Sequence, residues 1–142
     1  MDYSVIYNNM AHLITCLGSD KEMWDDVNKV IQSGFFDKIY IITSEASERH
    51  YIKPTMPASK SNILIKLVKL NFNKASEDLV PELYIILKKY FLEDKIQDLD
   101  IAVNITSGSG KEHSIIISTL MKLGYGIRLV DLDKNGNLLE MM

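Results

Sequence analysis

The segment N-I-T-S-G-S-G-K-E-H, from Asn104 to His113, gathers the groups that bind anions. Gly108 and Gly110 let backbone N–H groups come close to a ligand. Thr106, Ser107 and Ser109 add three hydroxyls, and Lys111 adds a full positive charge. An apolar run precedes the segment and a helical pattern follows it. The N–H groups and partial positive charge of a helix N-terminus therefore fall at the same place. Together these suit a phosphate. The plainer alternative is a tight strand-to-helix turn with a polar cap, but such a turn needs neither three hydroxyls nor a lysine. Two familiar phosphate motifs do not fit. A Walker A loop needs Gly where Ile105 stands and Ser or Thr where Glu112 stands, which argues against a nucleotide triphosphatase. The dinucleotide pattern G-x-G-x-x-G has His113 in place of its third glycine.

A smaller loop, L-G-S-D at Leu17–Asp20, repeats the logic. Gly18 permits close approach, Ser19 offers a hydroxyl at a helix start, and Ser19 and Asp20 are both good N-caps. Alone it reads as a cap; beside the Asn104–His113 loop in one sheet it becomes part of a site. Asp131-x-Asp133-x-Asn135-Gly136 imitates the first half of a calcium loop, but Met142 stands where a bidentate Glu is required, so it reads as a hairpin turn. His12, His50 and His113 have no metal-ligand spacing, and the one cysteine, Cys16, reads as a small buried hydrophobe. His113 reads first as a helix-surface residue and second as a ligand contact. Glu45, Arg49, His50 and Lys53 follow a strand near the expected mouth of the site, as solvated charges or as ligand contacts.

The elements that must position these loops follow from periodicity. Ala11–Leu17 is an apolar run with strand character, and Lys21–Ser33 is helical, with Trp24, Val27, Val30 and Ile31 on one face. Asp37–Ser44 is a second buried strand. Pro54 and Pro57 exclude a long regular element from Glu45–Ser61, whose role stays open. For Ile63–Phe72 the β-branched residues favour a strand, while Ile63, Leu67 and Leu70 could also line a helix; we read a strand. Ser76 caps a helix to about Glu93, in which Pro81 is tolerable only near the first turn. Leu99–Thr106 is a strand, Lys111–Leu123 a helix, Ile127–Leu132 a strand, and Leu138–Met141 a short last strand after the turn. Strands alternating with helices predict an α/β, Rossmann-like three-layer domain over residues 1–142. Its sheet would be mostly parallel, of five or six strands, with an antiparallel C-terminal edge hairpin. In such sheets ligands bind outside the carboxyl ends of the strands, where the strand order switches.

The chain has 142 residues, a formal net charge of -3, 46% hydrophobic and 25% charged residues. These values suit a globular domain able to bury a core, and the charge argues against duplex DNA binding by this chain alone. No apolar run approaches the roughly 20 residues needed to span a bilayer. The start, Met1-Asp2-Tyr3, lacks the basic and apolar regions of a signal peptide. With a single cysteine, the expectation is the cytoplasm.

The combination H-L-I-T-C-L-G-S, a second strand ending I-I-T-S-E, and V-N-I-T-S-G-S-G-K resembles the CARF domain, the CRISPR-associated Rossmann fold, over about Ala11 to Leu132. The last segment is similar to that family's Asn-hydrophobic-Thr/Ser-Gly-Gly/Thr-Thr/Ser-Lys motif, and nearest to archaeal regulators whose motif reads Asn-Val-Ser-Ser-Gly-Ser. Gly110 before Lys111 departs from it as a one-residue insertion. The resemblance implies a homodimer in CRISPR-linked antiviral signalling. Its two-fold axis would carry a pocket for a cyclic oligoadenylate, with no cofactor and no metal. The implied ligand contacts are Gly18, Ser19, Asp20, Asn104, Thr106, Ser107, Gly108, Ser109, Gly110 and Lys111. CARF proteins usually carry a C-terminal effector, and only about ten residues follow Leu132. The chain is therefore expected to be a stand-alone sensor, a fragment of a longer protein, or a metal-independent ring nuclease. In the last case the ribose 2′-OH would attack the adjacent phosphate, with Lys111 stabilising charge and Ser19 placing the ribose. An unrelated nucleotide-binding Rossmann-like enzyme is the remaining alternative.

Overall fold

The computed structural model describes residues 12–52, 54, 56 and 62–141. The six strands are β1 (His12–Leu17), β2 (Lys38–Thr43), β3 (Leu64–Lys69), β4 (Asp100–Asn104), β5 (Gly126–Leu132) and β6 (Leu138–Glu140). They form one sheet in the order β3-β2-β1-β4-β5-β6. All neighbours are parallel except β5 and β6, which pair antiparallel. This is the mostly parallel, Rossmann-like sheet with an antiparallel edge hairpin that the alternation of elements predicts. The order reverses between β1 and β4, so the loops after these two strands lie side by side at one edge.

The sheet is buried on both faces. On one face Ile14, Cys16, Tyr40, Ile42, Ile101 and Val103 pack against α3 (Ser76–Glu93) and α4 (Gly110–Leu123), through Leu79, Leu83, Leu87, Ile116 and Leu120. On the other, Leu13, Leu17, Ile39, Ile41 and Val130 meet α1 (Trp24–Gln32) through Trp24, Val27, Val30 and Ile31. Adjacent strand residues alternate between these two cores, as the pleat requires. The stretch at Ile63–Phe72 is settled as a strand by the same rule: Ile63, Ile65 and Leu67 face one core, Val68 and Leu70 the other.

Two local expectations change, and the stretch left open gains an element. Glu45–Ser61 contains a short helix, α2 (Glu45–His50), started by Ser44, whose hydroxyl accepts from the Ser47 N–H; Pro57, Lys53 and Ser61 lie outside the described residues. Ser76 is the first helical residue of α3, with Ala75 at the capping position, and Pro81 lies beyond the first turn. Its missing N–H leaves the Glu77 carbonyl without the donor four residues on. Asp20 begins a 3-10 turn (Lys21–Met23) without capping it.

The far end of α3 is pinned to the sheet by charge. Asp94 accepts from the Tyr40 hydroxyl at 2.6 Å and from Lys66 Nζ at 2.8 Å, and Lys66 lies over the Tyr90 ring. Burial alone would raise the Asp94 carboxyl; the Lys66 and Tyr40 hydrogen bonds outweigh it and hold the group below its ordinary value. A carboxylate held low stabilises the fold fully above its unfolded pKa and ceases to do so as pH falls through its folded pKa. Asp94→Asn should therefore cost about 2 kcal/mol near neutral pH. The gap from wild type should close as pH falls below about 4. Urea denaturation across that range checks this, and a gap independent of pH would contradict it.

Candidate functional site

The loops after β1 and β4 touch through their glycines. A Cβ placed on Gly18 would stand 2.7 Å from the Gly108 Cα and 2.7 Å from an Asp20 carboxylate oxygen. Gly108 itself has φ +101, and a Cβ there would meet Glu112, Cys16 and His113. The Gly18 N–H donates to Ser107 Oγ at 2.9 Å, and Ser107 Oγ donates to Asp20 Oδ1 at 2.6 Å. Asp20 also accepts from the Gly108 N–H, at 3.2 and 3.3 Å. The Gly18 carbonyl accepts from Trp24 Nε1 at 3.0 Å and from Ser47 Oγ at 3.3 Å. Each loop thus completes the other, and α1 and α2 brace the pair.

Asn104 sits beneath this contact, fully buried. Its Oδ1 accepts from Thr15 Oγ1 and the Thr106 N–H; its Nδ2 donates to Thr106 Oγ1 and the Val130 carbonyl. All four hydrogen-bonding positions of the carboxamide are used. It ties the ends of β1, β4 and β5 together and has nothing left to offer a ligand.

The helix start above the loops is a capping box. Ser109 Oγ accepts from the Glu112 N–H, and the Glu112 carboxylate accepts from the Ser109 N–H. His113 Nε2 lies 2.7 Å from the Ser107 carbonyl, so the ring supports the loop rather than standing on the helix surface. Lys111 Nζ donates to the carbonyls of Phe72 and Lys74, at 2.7 Å each. It bridges α4 to the turn after β3 and does not reach back over the glycines.

Of the ten residues the sequence assigns to ligand contact, the structure therefore brings Gly18, Asp20, Ser107 and Gly108 into one hydrogen-bonded unit. Asn104 is below it, Ser19, Ser109 and Gly110 form an exposed rim, and Lys111 is exposed but turned to the Phe72 and Lys74 carbonyls. Thr106 faces another cavity, of about 540 Å³, shared with Asp131 and Asp133. Gly110 borders open space, and a Cβ added there would meet nothing within 4 Å. A cavity of about 710 Å³ opens beside Ser19 and Glu112, and Glu45 and Arg49 line it; His50 does not, and Lys53 is outside the described residues. The roles of Asp20 as a latch and Lys111 as a strut are not readable from sequence, since their partners are distant along the chain. Among the described residues there is no grouping of side chains suited to a metal ion, and no helix long and apolar enough to cross a membrane.

Substitutions separate these roles. Gly18→Ala should destabilise by about 2 kcal/mol, because backbone must move to admit the methyl. Gly110→Ala should change stability by less than about 0.5 kcal/mol, which thermal unfolding of the two variants checks. Lys111→Ala should raise amide exchange at Phe72–Lys74 while leaving the glycine contact protected. Unchanged exchange there would remove Lys111 as a strut.

No family model matches the chain, and no curated protein matches it. Among solved structures it is similar to Enterococcus italicus Csm6 bound to cyclic hexa-2′-fluoro-hexa-dAMP, with a TM-score of 0.57 and 13% sequence identity. The likeness covers 88% of this chain and 34% of that one, so the chain spans about a third of the length of the protein it matches. At that identity the two share a fold.

Proposed function

We propose that the chain is a ligand-binding domain for a cyclic oligoadenylate, working as a homodimer in CRISPR-linked antiviral signalling. The observation that carries this reading is the pairing of the two loops at the β1–β4 switch point, rimmed by the exposed Ser19, Ser109 and Gly110. That is where a Rossmann-like sheet offers a phosphate its helix N-terminus. The motif V-N-I-T-S-G-S-G-K supports the same class of ligand. So does the shared fold with a Csm6 whose own structure holds a cyclic hexanucleotide. A ring with rotational symmetry suits two copies of this rim across a two-fold axis.

Binding is favoured over ring opening by a specific contact. Ring opening would use Lys111 to stabilise charge growing on a phosphate, and that ammonium is engaged by two backbone carbonyls. Thermal unfolding with cyclic tetra- and hexa-adenylate, NAD, ATP and S-adenosylmethionine separates the readings. A ring at a hundred times its Kd should stabilise the protein by about 2.7 kcal/mol. Mass spectrometry of the same samples should recover it intact and bound to a dimer. Stabilisation by one of the other nucleotides alone would replace this reading with that of an unrelated nucleotide-binding enzyme. Linear product ending in a 2′,3′-cyclic phosphate would replace the sensor with a ring nuclease.

A further inference from the structure

The cavity of about 710 Å³ lies beside the paired loops, at the carboxyl ends of β2 and β3. Its size suits a nucleoside rather than a lone phosphate. Ser19 forms the side nearest the glycine contact, α2 a second, and the turn at Asn71–Asn73 a third. Glu45 stands two residues beyond the end of β2. Glu45 thus stands on the wall of the cavity that also holds Ser19, where a carboxylate can accept from a ribose hydroxyl.

The third wall is built rather than incidental. Lys111 holds the Phe72 and Lys74 carbonyls. Within the turn, Asn71 Oδ1 accepts from the Asn73 N–H at 3.0 Å, and the Lys74 N–H donates to the Asn71 carbonyl at 3.1 Å. Asn71 Oδ1 is thereby engaged in the turn, while the exposed Asn73, also in the lining, carries a carboxamide with both a donor and an acceptor. A carboxamide presents the pair of groups that match the donor and acceptor on one edge of adenine. The flanking cations are partly neutralised, Arg49 by Glu45 at 3.3 Å and Lys69 by Glu48 at 3.3 Å. The cavity is thus better suited to a polar uncharged group than to a second phosphate.

We infer that this cavity takes the ribose and base of one nucleotide of the ligand, with Glu45 accepting from a ribose hydroxyl, Asn73 reading the adenine edge, and Lys111 positioning the turn. The inference rests on the cyclic oligoadenylate reading above and adds where its specificity arises. Titration calorimetry tests it with wild type, Glu45→Gln and Asn73→Ala, using cyclic tetra- and hexa-adenylate and the corresponding inosine rings. Glu45 and Asn73 are exposed, so both variants should keep the wild-type unfolding curve. Asn73→Ala should weaken adenylate binding about tenfold and lose most of the preference over inosine. Glu45→Gln should weaken both rings alike. Wild-type affinity in both variants, or weakened binding by Asn73→Ala with the preference intact, would overturn the inference and leave the paired-loop reading standing. A wild-type protein with no affinity for any ring would overturn both.

Discussion

The approach of Gly18 to Gly108 is the constraint on which the rest of the site depends. Two strands that are neighbours in the sheet hand over to loops that meet in the Gly18–Ser107 hydrogen bond, 89 residues apart along the chain, and neither loop can carry a side chain at the crossing. Trp24 from α1 and Ser47 from α2 converge on the Gly18 carbonyl, and His113 from α4 on the Ser107 carbonyl. Three helices are therefore oriented by one backbone contact. Because α4 begins immediately after Gly108 and Ser109, the direction of its N-terminus is set there, and with it the region where its first N–H groups can meet a ligand.

This arrangement changes what the glycines mean. Their freedom serves the approach of one loop to the other, and the amides at the crossing are taken by the protein's own groups: Gly18 by Ser107, Gly108 by Asp20, Ser109 by Glu112. Buried polar groups left unpaired would be costly, and internal carboxylates stand in for an anion here. The outer side of this edge carries the carboxylates of Asp20 and Glu112 as well as the Lys111 ammonium. Mixed charge of this kind gives little long-range attraction in a chain of net charge -3.

The sheet is legible in the sequence because its strands are buried on both faces and read as apolar runs. H-L-I-T-C-L and K-I-Y-I-I-T leave little choice of element. The strand at β3 is harder to read, since its half-exposed edge position mixes Lys66 and Lys69 into the apolar pattern. The helix E-A-S-E-R-H is not legible at all: six residues with no apolar face carry no periodicity, and only the Ser44 cap marks its start. For the site, sequence locates the two loops and their residue types. It does not say whether Gly18 makes room for a ligand or for Gly108. Nor does it say whether Lys111 points at a phosphate or at carbonyls 39 and 37 residues away. Those are facts of tertiary placement, with no local signal.

If the paired loops and their rim receive the ligand, the amides there must sense it. Amide chemical shifts of the isotopically labelled protein, followed during titration with cyclic tetra- and hexa-adenylate, test this directly. Saturable shifts are expected at Ser19, Gly108 and Ser109–Lys111, extending to Glu45 and the Asn71–Asn73 turn. Shifts centred instead on the β5–β6 hairpin or on the Tyr40–Lys66–Asp94 end of the sheet would contradict that placement.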